Sequence, residues 1–373
     1  MKKQFKRRYE ILTEKLKEAT VDIEKYQSQM HITKKGVGMF FVLCVMAFTF
    51  IFLSSVFYKG WAFVLTSKTY FIGFQRIPIL KGQTAIVSAY STSSVSRSVV
   101  FELARKGCDV IAIIDPPDIN KYNSDQIRRH LEYSVGGSHG ELIGHVQFSG
   151  VDMSVFKSIK RFVKKLSFRK LDILVLNEDS FLSQYQATDA GIEYHFAANY
   201  LGPFLFTKLL LKRIKSSGTR VLFSTNYAYR KAYPGVGIRF DLLNKETKDF
   251  RATHAYGQSK LAVVSIVPPL NKLLQGTPAT INSIYPGLVT ENLMDEKSWV
   301  YGHNWFSSMS ASCAALTVLY AASSPVFEHV SGKHIEPAGV IMDIPPVYQI
   351  NNTMSNMLYK RSFTLSNQFF IDF

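Results

Sequence analysis

Apolar and polar positions alternate with three different textures along the chain. In residues 1–35, Phe5, Tyr9, Leu12, Leu16, Ala19, Ile23, Tyr26 and Met30 recur in steps of four and three. That spacing is a heptad seam. It predicts either a coiled coil pairing two chains or one amphipathic helix lying on a membrane. Residues 36–58, GVGMFFVLCVMAFTFIFLSSVFY, carry no charge. As a helix they would run about 34 Å, enough to cross a bilayer core of about 30 Å. The stretch starts too late and runs too long for a cleaved signal peptide, and it predicts a transmembrane anchor. Apolar character resumes from Gly60 to Leu65, which predicts a membrane-apposed linker over 59–81.

From residue 82 to 340 the pattern changes again. Short β-rich runs at 84–87, 110–114, 146–148, 173–176, 220–224 and 280–284 are separated by amphipathic stretches. This is the texture of βαβ units, which predicts a parallel sheet covered on both faces. The small-residue run 309–323, MSASCAALTVLYAAS, is too short for a second span and predicts a buried helix. The tail 341–373 is left open between packing on the domain and touching the membrane.

Charge changes this picture in one respect. The formal net charge is +16, and residues 1–35 alone hold ten Lys/Arg against five Asp/Glu. No zinc-finger spacing, RNA-binding signature or basic–aromatic stripe accompanies it, so nucleic acid is not the expected partner. A membrane-apposed surface is. The N-terminal excess favours a cytoplasmic N-terminus, which places the large domain in a lumen. The sequon at Asn351 is compatible with that side. Cys44, Cys108 and Cys313 lie far apart, form no metal spacing or disulfide framework, and predict buried free thiols.

Chemistry concentrates around YGQSK. Tyr256 and Lys260 are four apart and share one helix face. An ammonium beside a phenol favours the phenolate, so such a tyrosine can exchange a proton with a hydroxyl or carbonyl near neutral pH. Around it stand NYLGPFLFTKLLL before, YPGLVTENL after, LDILVLN at 171–177 and VDMS at 151–154. In order and spacing these segments resemble the short-chain dehydrogenase/reductase family over residues 82–340. FDLLNKE, HAYGQSKLA and the closing LYAASSPVFEHVSGKHIEP resemble the branch of retinol dehydrogenases and the WW-domain oxidoreductase.

The resemblance implies a Rossmann-like doubly wound α/β sheet, preceded here by the N-terminal helix and the transmembrane helix. It implies that Tyr256 transfers the proton, that Lys260 activates it and holds a nicotinamide ribose, and that Asn199 belongs to a proton relay. Asp152 would contact adenine, Asn177 would stand in the N-N-A-G turn, and Pro286 and Gly287 would form the turn beside the nicotinamide, with Thr290 near its amide. Asp115, after the second strand, favours a free ribose 2′-hydroxyl and hence NAD over NADP; it equally suits a plain turn. The serine position falls on Asn226 without gaps, on Thr225 after a one-residue shift and on Ser224 after two. Thr225 is the candidate that keeps a hydroxyl and reaches the carbonyl by the smallest shift.

The sequence also departs from the family. The three glycines of T-G-x-x-x-G-x-G fall on Tyr90, Ser94 and Ser96. Each serine adds a Cβ and offers a hydroxyl to phosphate, whereas Tyr90 is strained by about 1–2 kcal/mol if its position needs positive φ. N-N-A-G becomes Leu176-Asn177-Glu178-Asp179, whose carboxylates repel pyrophosphate if they point inward. Two readings result. One is an oxidoreductase anchored in endoplasmic reticulum or another endomembrane, passing hydride between NAD or NADP and a lipophilic alcohol or carbonyl such as a retinoid, sterol or acyl lipid. The other is a catalytically impaired pseudoenzyme, in contact with membrane lipid, that acts as a membrane scaffold or a partner-binding protein. A homodimer is compatible with both. An unrelated α/β fold is a third, poorer account of so many segments matched in order.

Overall fold

The computed structural model describes residues 77–121, 123–126, 129, 143–289, 308–344 and 351–368, with Glu14 and Lys17 alone before them. The predicted helix 1–35, the anchor 36–58 and Thr290 therefore lie outside the described residues. Among the described residues no helix is long and apolar enough to cross a membrane. The chain divides after Leu65, and the unit Thr66–Phe373 contains everything that follows.

Eight strands form one sheet: β1 (Thr84–Val87), β2 (Asp109–Ile114), β3 (Val146–Gly150), β4 (Ile173–Leu176), β5 (Arg220–Ser224), β6 (Thr280–Ile284), β7 (His334–Glu336) and β8 (Val340–Met342). Their order is β3-β2-β1-β4-β5-β6-β7-β8. All neighbours are parallel except β7 and β8. The inner strands read TAIV, DVIAII and ILVL because both of their faces are covered and neither needs polar residues. The order reverses between β1 and β4, and a crevice at that switch point is where such sheets bind ligands.

Among the described residues six helices of ten residues or more flank the sheet: α1 (Ser94–Arg105), α2 (Phe156–Lys165), α3 (Gly202–Ser217), α4 (Ala252–Leu274), α5 (Ala311–Ser323) and α6 (Asn351–Gln368). Helices α1 and α5 share one core with the sheet, and α2, α3, α4 and α6 share the other. The run at 309–323 is thus a helix of the domain. The tail packs on it too: Ser355 Oγ donates to Ser265 O at 2.5 Å, and Ser362 and Tyr200 share a 2.6 Å hydrogen bond. Cys108 is buried, and its burial raises its thiol pKa above the ordinary range. Cys313 is exposed, against expectation, because it faces outward near the start of α5.

Candidate functional site

Helix α4 carries Tyr256 and Lys260 one turn apart, exposed to 0% and 1%. Gly257 between them has a packing reason. A Cβ there would stand 2.7 Å from Ala228 O and 2.8 Å from Ala232 N. Its absence lets the turn Tyr227–Lys231 close onto the helix. The Tyr256 ring is held edge-on by Phe181 at 5.4 Å and by His195 at 6.0 Å.

Opposite α4 runs the loop after β4, fixed at both ends. Asn177 receives nothing mobile: its backbone N–H donates to Ser88 Oγ, and its amide donates to Ser93 Oγ at 2.9 Å and Ser96 Oγ at 2.8 Å. Asn199 clamps the far end. It accepts from Ser180 N at 2.7 Å and donates to Ser180 O at 2.8 Å and Ser259 Oγ at 3.1 Å. Asn199 sits on a π-turn, Ala197–Leu201, that leads into α3. His195 Nε2 accepts from Leu182 N at 2.8 Å, so the ring proton is on Nδ1, which donates to Glu193 Oε1 at 2.6 Å.

Between these clamps Glu178 and Asp179 turn inward. Asp179 Oδ1 accepts from Tyr256 Oη at 2.5 Å, pairs with Lys260 Nζ at 2.8 Å and accepts from Asn226 Nδ2 at 3.2 Å. Asn226 also donates to Tyr256 Oη at 2.6 Å, and Lys260 donates to Glu178 O at 2.5 Å. Asp179, Asn226, Tyr256 and Lys260 are thus one hydrogen-bonded group. Glu178 Oε1 is buried without a hydrogen-bond partner. Burial, followed by the charges of Asp115 and Asp152, pushes the Glu178 carboxyl up to about 7, against the opposing pull of Ser88 and Lys260.

The structure brings together Tyr256, Lys260 and, one layer behind through Ser180 and Ser259, Asn199. It does not bring Thr225 to Tyr256. The Thr225 hydroxyl donates to Lys260 O at 3.0 Å, and Asn226 takes the place beside the phenol. Ser94 opens α1 and is half-buried, while Ser96 is buried and occupied by Asn177. Asp152 closes a turn on Ser154, and Asp115 directly follows β2. Partial desolvation, then Asp152 and Asp118, raises the Asp115 carboxyl pKa. Pro286 is buried, and Gly287 has φ +122° with Met309 where a Cβ would stand, so only glycine suits the turn. The positive φ of the first loop falls on Ala89, at 55°, and not on Tyr90. Tyr90 N donates to Ile113 O, and its ring packs on Phe148 of β3 at 5.1 Å. The loop has been rebuilt around the tyrosine, with the strain moved one residue back.

The ungapped sequence reading puts Asn226 at this position beside the phenol, but Thr225 was preferred for its hydroxyl; the His195–Glu193 pair behind the phenol was missed. Glu193 and His195, two polar residues at the head of an apolar run, were the available signal. A nicotinamide dinucleotide suits this edge in the kinds of group present, the N-terminus of α1 and the Lys260 ammonium among them. The fit is conditional, because Asp179 holds Lys260 and Tyr256 together.

No family model matches the chain. Among curated proteins it is 30% identical over 273 residues to retinol dehydrogenase 13 of Mus musculus, covering 69% of this chain and 76% of that one. It is 32% identical over 265 residues to retinol dehydrogenase 12 of Mus musculus, covering 68% and 78%. Polyprenol dehydrogenase of Mus musculus is 28% identical over 285 residues, covering 72% and 81%. Among solved structures, an uncharacterised protein from Mycobacterium paratuberculosis superposes with a TM-score of 0.58 at 22% identity, covering 78% of this chain and 96% of that one. L-sorbose reductase from Gluconobacter frateurii, solved with NADPH and L-sorbose, gives 0.52 at 14% identity, covering 71% and 97%.

Proposed function

Because the chain belongs to the short-chain dehydrogenase/reductase family, in its retinol dehydrogenase branch, we propose that it is a membrane-anchored, nicotinamide-dependent oxidoreductase of lipophilic alcohols and carbonyls. The observation that carries this reading is the convergence of Tyr256, Lys260 and the Asn199-clamped loop at the switch point of the sheet. The cofactor, when bound, would accept or deliver the hydride.

The chain's own residues supply the proton and the positioning. Tyr256 Oη gives a proton to a carbonyl or takes one from an alcohol, and Lys260 favours its ionised form. Asn226 Nδ2, 2.6 Å from that oxygen, donates a hydrogen bond to the phenolate or the substrate oxygen. Lys260 and the N-terminus of α1 would hold the cofactor. Asp115, in the acid position after β2, supports NAD over NADP. The uncharged stretch 36–58 supports a single-pass anchor in an endomembrane, and retinol and polyprenol in the names of relatives support a lipid alcohol as substrate.

One observation favours a second reading, in which the fold serves as a membrane scaffold: Asp179 engages both catalytic side chains at once. Titration of the purified chain with NAD, NADH, NADP and NADPH, followed by thermal shift and nucleotide fluorescence, separates the two. The oxidoreductase reading expects saturable binding, turnover of a lipid alcohol, and loss of turnover without loss of binding in Tyr256→Phe. A folded chain that binds none of the four nucleotides supports the scaffold instead.

A further inference from the structure

Among the described helices, basic charge without acidic partners gathers on three that pack together. Helices α2, α3 and α6 pack on the same core and together carry eleven basic residues and no acidic one. On the opposite face α1 has two arginines and one glutamate, and α5 has no charge. The three basic helices adjoin. Phe162 of α2 stacks on Phe206 of α3 at 5.7 Å, and Tyr359 of α6 meets Phe204 of α3 edge-on at 6.3 Å. Lys208 of α3 donates to Ser366 and Asn367 of α6 and lies 3.8 Å from the centre of the Phe363 ring. Its ammonium is pushed down to about 8, first by desolvation and then by Lys160 of α2.

On the outer side of α2, Lys157, Arg161, Lys164 and Lys165 are exposed; on α6, Lys360 and Arg361 are. Two large apolar side chains stand among them, Met357 at 51% exposure and Phe363 at 41%. On a helix Met357 adjoins Lys360 and Arg361, and Phe363 adjoins Lys360. Cations with apolar side chains between them match a headgroup layer, which takes the charges at phosphate level and the apolar groups just beneath.

We propose that the α2–α3–α6 face rests on the surface of an anionic bilayer. This rests on the anchor in the reading above, which supplies the bilayer, and on an anionic leaflet facing the domain, which reverses the lumenal side that the N-terminal charge favours; it does not depend on catalysis. Each Lys or Arg near an anionic surface contributes about fivefold to the association. An anchored domain needs only weak intrinsic affinity, because its tether already holds it at high local concentration. An acidic protein or a polynucleotide would satisfy the charges but would leave Met357 and Phe363 without an apolar phase.

The test uses the full chain in nanodiscs, with Thr364→Cys on exposed α6 carrying an environment-sensitive fluorophore in a Cys44→Ser, Cys313→Ser background. Discs of phosphatidylcholine alone are compared with discs containing about 30% phosphatidylserine. The expected result is brighter, blue-shifted emission in the anionic discs. It should reverse at about 1 M salt, where the screening length falls to about 3 Å. It should also vanish in a variant with Lys157, Arg161, Lys164 and Lys165 each changed to Glu and an unchanged Tm. Equal emission in both lipids, or a shift that survives the four changes, overturns the proposal, as does a response only to added RNA or acidic protein. A chain that fails to enter discs overturns the anchor; the same labelled chain is then mixed with preformed vesicles of the two compositions, where equal emission overturns the docking face as well. Loss of cofactor binding in the nucleotide titration would remove the oxidoreductase reading without touching this one.

Discussion

Asp179→Asn should move stability and cofactor affinity in opposite directions. Lys260 is 2% exposed at its side chain and Asp179 24%, with 2.8 Å between them. Removing one partner of a buried pair costs about 3–5 kcal/mol. The cost here is smaller, about 2 kcal/mol, because Asp179 is partly solvated, asparagine keeps an acceptor oxygen, and hydrogen bonds to charged groups are worth about 1.5–3 kcal/mol. Glu178 O goes on accepting from Lys260 as well. For a domain of this size, 2 kcal/mol lowers Tm by about 4–8 °C. On the oxidoreductase reading, Lys260 exchanges this pairing for a nicotinamide ribose. Weakening it by about 2 kcal/mol removes that much from the work of binding and tightens the cofactor Kd by roughly 10- to 30-fold. Thermal denaturation without nucleotide gives the first quantity, and nucleotide fluorescence titration gives the second. A variant with a lowered Tm and an unchanged or weaker Kd would refute the argument, since Asp179 would then not stand between Lys260 and the cofactor.

Glu178→Gln should flatten the acid–neutral limb of the stability profile. The carboxyl titrates at 4.5 when unfolded and about 7 when folded. Between those values the folded chain keeps a proton that the unfolded chain has lost. Its stabilising contribution is therefore whole below about pH 4.5, declines toward pH 7 and is absent above it. Urea denaturation should show the variant more stable than the native chain at pH 8, by up to about 3 kcal/mol, and equal to it near pH 4. Gly287→Ala should lower stability by more than about 1 kcal/mol, read by Tm, because it adds an unfavourable φ to a 2.7 Å approach to Met309 Cε. Tyr200→Phe should cost about 1 kcal/mol by leaving the buried Ser362 hydroxyl without the 2.6 Å bond that ties α6 to the domain.

The inner sheet was legible because its strands are buried on both faces, so apolar runs bounded by polar turns mark them directly. β7 and β8 were not, since three residues each carry no period, and β7 is placed by β6 and β8 by β7. The adjacency of Tyr256 and Lys260 was legible because its geometry is local, four residues apart on one helix. Asn226 was reached by the ungapped reading but set aside for a hydroxyl, because a one-residue difference in the turn after β5 decides which side chain faces Tyr256, and Thr225 turns instead to the backbone of α4. For Glu178 and Asp179 the sequence posed the right question without the answer. Inward or outward depended on clamps from Asn199 and His195, residues distant in sequence that only the folded chain sets against the loop. At Tyr90 the sequence made strain conditional on a positive φ; the condition is not met, because Ala89 takes the left-handed conformation instead.

The seating of α6 on α3 and α4 carries a consequence for how the chain is made. Tyr200 and Ser362 are 162 residues apart. At a synthesis rate of about 5–20 residues per second, the surface around Tyr200 and Phe204 waits on the order of 10 to 30 s for its cover to leave the ribosome. Throughout that interval a half-finished domain shows aromatic surface to its surroundings. Final packing of that surface therefore waits for the emergence of residues 351–368.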